Sequence, residues 1–259
     1  MKRRLFGRTL VLGLLVLSGS SAADKLLPPV PVPADLIEPT RQDPETVRAR
    51  KDGLEALVAL AQNGDPARLG FAAPPKINDI VALDPFQEAL VQVSDLKTFG
   101  LTKDPNSIIK LQARETYPIA LRVSGQPVGN AAVVVVSSLT LAKKGPDWRA
   151  TSFGSPNLMR AAFNALLNAR DFKLPGQAQP LLLRGTQQHY LLVRITGLNK
   201  FFLGAVAERV PKVPNQTTLY LIPIFDSARL GFMKGVPQLA STVFAKLKGD
   251  ALLHNGLPT

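Results

Sequence analysis

Residues 117–153, YPIALRVSGQPVGNAAVVVVSSLTLAKKGPDWRATSF, decide the fold class. Tyr117, Ile119, Leu121 and Val123 alternate with Pro118, Ala120, Arg122 and Ser124, the period of a strand with one buried face. Gly125-Gln126-Pro127 breaks the run. A long apolar strand follows over about Val128–Leu141, turns at Lys143-Lys144-Gly145-Pro146, and returns as Trp148–Phe153. Short connections of this kind imply antiparallel pairing. Ser155 then caps a helix with Pro156 at its first position, and Leu158, Met159, Ala162, Phe163, Leu166 and Leu167 form its apolar stripe.

Downstream the same order returns. After Leu181–Arg184 come Tyr190–Thr196, ended by Gly197, then Phe201–Arg209, a turn at Pro211–Gln216, and Leu219–Phe225. A helix starts near Pro237, with Leu239, Ala240, Val243, Phe244 and Leu247 inward, and stops at Gly249. An offset of 72 pairs Arg122 with Arg194, Gly125 with Gly197, Trp148 with Tyr220 and Phe153 with Phe225. The identities are few, so duplication and chance both stand as explanations. The reading is an α+β protein, with antiparallel sheets and a duplicated β-β-β-α unit over 116–171 and 172–259.

Upstream, 44–115 reads as mainly helical. Asp43 and Pro44 open a helix with Val47, Leu54, Leu57, Val58, Leu60 and Ala61 on its apolar face and Asn63-Gly64 at its end. Asp-Pro pairs at Asp43, Asp65, Asp84 and Asp104 read as turn starts, or as marks of a 20-residue solenoid repeat that the residues between them do not support. Residues 23–43 hold Leu27-Pro28-Pro29-Val30-Pro31-Val32-Pro33. Alternating proline excludes helix interior and central strand, which leaves a linker or a strap along the surface.

Residues 1–22 read as a cleavable signal peptide. Lys2, Arg3, Arg4 and Arg8 precede the apolar run Thr9–Leu17, and Ser18–Ala23 are small. The run is shorter than the roughly 20 residues that span a bilayer. Arg3-Arg4 also fits twin-arginine export. The expected location is the periplasm or the exterior. Cysteine is absent, which excludes disulfides, thiol catalysis, thiolate metal sites and lipid attachment at cysteine.

The net charge is +12. Residues 24–115 hold 11 basic and 14 acidic groups, whereas 116–259 hold 16 basic and 5 acidic groups. The basic half points to an anionic partner: lipid headgroups, lipopolysaccharide or wall polymer, with another envelope protein as the alternative. Arg122, Arg194, Lys143, Lys144, Arg149 and Lys200 are the candidate contacts; a plainly solvated basic face is the competing reading. Few aromatics interleave with them, which argues against nucleic acid.

No nucleophile-elbow, phosphate-loop or zinc-helix motif occurs. His189 and His254 are the two histidines, too few and too separated for a metal site. His189 has the strand parity of a packed side chain. No cofactor is expected. Three functions follow in order: a non-enzymatic envelope binding or scaffolding protein; a hydrolase using two carboxylates, Asp226 with Glu208 or Asp147; and a periplasmic chaperone with Ala131–Val136 as an open strand edge.

Overall fold

The structure, a computed structural model, describes residues 26–33, 36–37, 44–100, 103–122, 133–174, 177, 179–185, 189–207 and 219–253. The proposed signal peptide, Glu208 and His254 lie outside them. The described strands form one sheet. They are β1 (Val30–Pro31), β2 (Ile80–Ala82), β3 (Phe86–Gln92), β4 (Lys110–Arg122), β5 (Val133–Lys144), β6 (Asp147–Phe153), β7 (Leu183–Arg184), β8 (Leu191–Thr196), β9 (Lys200–Ala207), β10 (Leu219–Pro223) and β11 (Gln238–Leu239). The order is β1-β5-β4-β3-β8-β9-β10-β11, with β2 beside β4, β6 beside β5 and β7 beside β9.

The α+β class holds, but the sheet is mixed and not purely antiparallel. β3 runs parallel to β8, with Gln87 opposite Leu191 and Gln92 opposite Thr196. Each half of the sheet is an antiparallel meander, as the short turns predict. The parallel seam joins the halves, and its strands are separated in the chain by β4–β7 and two α-helices. Periodicity reports which way side chains face and carries no record of a partner that distant.

Four helices complete the fold: α1 (Pro44–Asn63), α2 (Val93–Lys97), α3 (Pro156–Arg170) and α4 (Ala240–Leu253). Helix α3 packs Met159, Ala162, Phe163 and Leu166 into one cluster with Val133 and Val135 of β5, Leu203 and Ala205 of β9, and Ile222 of β10. Between β5 and β9 lie β4, β3 and β8, a flat distance of about 19 Å at the usual strand spacing. A helix about 10–12 Å across reaches both because the sheet curls around it. The α3 face is therefore concave. On the convex face, α1 covers Ile119, Val134, Val136, Leu139 and Leu141, and α4 covers Val193, Ile195, Phe202, Leu219 and Leu221.

This arrangement limits the 72-residue offset. It carries Asp147, the start of β6, onto Leu219, the start of β10. It lapses at the helices, because α3 lies in the concavity and α4 on the convex side. Arg122 ends β4 opposite Val133, whereas Arg194 lies inside β8 opposite Phe201. The α4 helix also runs through Gly249, because Asp250 and Ala251 beyond it are buried.

The segment 44–115 is less helical than expected: it supplies β2, the central strand β3 and the start of β4. The inward face of α1 is Thr46, Ala49, Gly53, Leu57, Val58 and Ala61, while Val47 and Leu60 are exposed. Small residues win the contact because a Cβ at Gly53 would come within 2.9 Å of the Leu139 side chain. Two of the Asp-Pro pairs form capped turns. Asp65 Oδ1 accepts from Ala67 N and Asp104 Oδ1 from Asn106 N, each at 3.0 Å.

The proline-rich stretch is a strap on the sheet edge. Val30 pairs with Val135, Val32 N donates to Val133 O at 3.0 Å, and both valines are buried. An edge strand is where proline is tolerated. Arg160 of α3 holds the strap down. Its Nη1 donates to Leu27 O, its Nη2 to Gly70 O at 2.6 Å and its Nε to Val136 O at 3.2 Å.

Candidate functional site

The β registers assemble a basic strip. Lys110, Leu90, Arg194 and Phe201 stand opposite one another across β4, β3, β8 and β9. Ile224 N donates to Phe201 O at 3.3 Å and extends the row past the end of β10. Leu192 and Leu203, one alternation away, pack on α3, so this row faces the concavity. A second row joins Arg114, Ala142 and Arg149, and Lys144 has the parity of Ala142.

Arg149, Lys144, Arg114, Lys110 and Arg194 thus share the concave face at one end of the sheet, and all five are exposed. Helix α3 covers the same face farther along the strands. The floor between them is polar. Thr116 Oγ1 donates to Glu88 Oε1 at 2.7 Å and lies 3.0 Å from Thr140 Oγ1. Arg114 Nε approaches Glu88 Oε2 at 3.2 Å. Lys110 meets Asp95 at 2.9 Å and Arg149 meets Asp147 at 3.4 Å. The Arg194 guanidinium sits 5.8 Å from the centre of the Phe201 ring. Lys144 and Arg194 have no carboxylate partner among the described residues. Such a surface can hold several anionic groups by charge and hydrogen bond.

Three of the six residues expected to contact a partner, Lys144, Arg149 and Arg194, meet here. Lys143 points to the convex face, where it pairs with Glu45 of α1 at 3.2 Å. Lys200 stands opposite Ile195 and is also on the convex face, at the same end. Arg122 is apart. It lies twelve residues along β4 from Lys110, about 40 Å in an extended strand. The paired-arginine surface expected from Arg122 and Arg194 does not form. Lys110 and Arg114 were hidden in the segment read as helical. Their signal was the alternation Lys110, Gln112, Arg114, Thr116, a polar face with strand period that runs directly into Tyr117.

The other candidates separate. Asp226 is exposed and accepts from Lys234 N at 2.7 Å, closing a loop after β10, while Asp147 lies at the β5–β6 hairpin. They occupy different turns. Of the expected open edge Ala131–Val136, Ala131 and Ala132 lie outside the described residues; Val133–Val136 is buried, with alternate residues in the α3 and α1 clusters and β5 paired to both β1 and β4, so this described part is core. His189 is half-buried. Among the described residues, no group of three or more metal-ligating side chains comes together.

Beneath α1, Tyr117 Oη donates to Glu115 Oε2 at 2.6 Å, and both residues are buried. Burial, then the bond to Glu115, pushes the phenol above its ordinary value near 10. Burial also raises Tyr220. The unfolded chain therefore releases these protons first, and stability should fall as pH rises above about 10. Alkaline titration at 295 nm should show Tyr117 and Tyr220 ionising only with unfolding. Tyr117→Phe should flatten the alkaline decline in the urea midpoint.

Among the described residues, no helix is long and apolar enough to cross a membrane. Comparison of the chain with family models, curated proteins and solved structures finds no match, so its function rests on this geometry.

Proposed function

We propose that the chain is an exported, non-enzymatic envelope protein that binds an anionic partner on the concave basic strip. The observation that carries this reading is the register: five exposed basic side chains from four strands on one face, at the end that α3 leaves uncovered. The export half of the proposal rests on residues 1–22, and N-terminal sequencing of the envelope-derived protein should begin near Ala23.

Binding should be tested with the chain lacking residues 1–23, which all lie outside the described fold. Anionic liposomes, lipopolysaccharide and wall polymer are the probes. Binding should weaken as salt rises, because exposed charges are screened. Arg114→Glu with Arg194→Glu should weaken it at least tenfold, each charge near an anionic surface being worth about 1 kcal/mol. Arg122→Glu is the control and should change it little. Salt-insensitive binding, or an Arg122 effect as large as that of the double variant, would overturn the assignment of the strip.

A further inference from the structure

We infer that the groove between β5 and α3 is a binding site for an extended peptide, filled here by the chain's own residues 27–32, and that the same residues of a second copy can fill it instead. The groove lies at Val133–Val135, the opposite end of β5 from Lys144 of the basic strip. It holds its occupant mostly by the backbone. Val30 and Pro31 pair with Val135 and Val134, and Val32 N donates to Val133 O at 3.0 Å. Two side chains of α3 grip the other end: Leu27 N donates to Asn157 Oδ1 at 2.8 Å, and Arg160 Nη1 donates to Leu27 O. Val30 and Val32 are buried in one cluster with Val133, Val135 and Met159. Ladder bonds to the backbone, with alternate side chains buried, are the way a sheet edge takes up a peptide.

The segment itself has the properties of a ligand. Pro28, Pro29 and Pro31 are exposed, and proline's missing N–H is tolerated on an edge strand. Proline also holds a free segment extended, so docking orders little that was not ordered before. None of the contacts needs segment and groove to belong to one molecule.

A second copy supplies the identical segment and so matches the groove residue for residue. The segment precedes every other described element of the fold, so it can leave the groove without unthreading the rest. The tether gives the chain's own segment an effective concentration in roughly the millimolar range, and exchange between copies therefore grows with protein concentration. Residues 24–259 are net basic. Two copies repel, and salt should favour exchange by screening them, the opposite of its effect on binding at the strip.

The experiment uses the chain lacking residues 1–23, which has no cysteine of its own. Val30→Cys and Val135→Cys in one chain should form a disulfide. Directly opposed antiparallel residues have Cα atoms about 4.5–5.5 Å apart, within disulfide reach. The two single variants, mixed and oxidised, should give a disulfide-linked heterodimer. Its yield should rise with protein concentration and with salt, and fall when a synthetic peptide of residues 26–33 is present in excess. Val30→Cys mixed with Val133→Cys should link about tenfold less, because Val133 lies two residues along β5 and out of disulfide reach. This register control separates a docked segment from chance collision at a frayed edge. Oxidation of the double variant with no heterodimer from the mixture would overturn exchange with a second copy. Equal linking to residues 133 and 135, or indifference to the peptide, would overturn the groove as a peptide site.

Discussion

Replacing Arg160 with leucine is expected to destabilise the protein by about 3 kcal/mol, and to free the strap before the rest of the fold. Arg160 is 3% exposed, and burial draws its pKa below the ordinary value. Its guanidinium satisfies three carbonyls from three places in the chain: Leu27 on the strap, Gly70 in a turn and Val136 on β5. Leucine fills part of the volume but leaves these acceptors without their donor. Each buried acceptor left unsatisfied costs about 1–3 kcal/mol, and relaxation toward water recovers some of that. Lysine keeps the charge but lacks the fork, so Arg160→Lys should rescue little. For a protein of this size the melting temperature should fall by roughly 6–12 °C. Hydrogen exchange should separate local from global loss. The Val32 amide, which bonds Val133 O at 3.0 Å, should lose protection more than the amides of β8 and β9. Equal loss everywhere would show that Arg160 is ordinary core and not the clasp of the strap.

Gly70→Ala should be at least as damaging, by at least 3 kcal/mol, and is expected to yield little folded protein. Gly70 has φ +91°, a left-handed backbone that alanine adopts only with strain. An added Cβ would also lie 2.1 Å from Val136 O and 2.8 Å from Pro156 Cβ. The first of these is backbone of β5 at its register irregularity, and the same oxygen accepts from Arg160 Nε, so it cannot move away without disturbing that bond. Gly145 supplies the comparison. It too is left-handed, at φ +64°, but a Cβ there meets nothing within 4 Å. Gly145→Ala should therefore cost only the backbone term, about 1 kcal/mol. Denaturant midpoints of the two variants would measure the steric part by difference. Because Gly70 O is also an Arg160 acceptor, Gly70→Ala and Arg160→Leu should combine to less than their sum.

Neither residue announces its role in sequence. Arg160 reads as one polar position on an amphipathic helix, and Gly70 as one of 19 glycines. Their importance comes from a meeting of α3, the strap and the β5 irregularity near Val136, where register shifts between Ile119 and Ala120 on β4. Local pattern could find the elements and not the meeting. The same holds at the candidate site. Lys144, Arg149 and Arg194 were legible as basic strand residues, and their common face follows from period-2 alternation once the registers are known. Lys110 and Arg114 were missed because their strand was assigned to a helical segment whose overall charge is slightly acidic. Arg122 was included because a sequence offset gave it and Arg194 equivalent places in a repeat, and sheet geometry puts it at the opposite end.

What the amino-acid order determined by itself is local. Alternating apolar residues set the meanders, proline at Pro156 set the start of α3, and alternating proline confined residues 28–33 to an edge. These outcomes need only steric preference and burial within one segment. Tertiary structure alone decided that β3 lies parallel to β8, that the sheet curls around α3, and that α4 lies on the opposite face. These depend on which apolar surfaces find each other across long loops. Burial is non-directional, so many pairings satisfy the same pattern. Shape, register and the few polar groups that must be satisfied, Arg160 above all, select one of them.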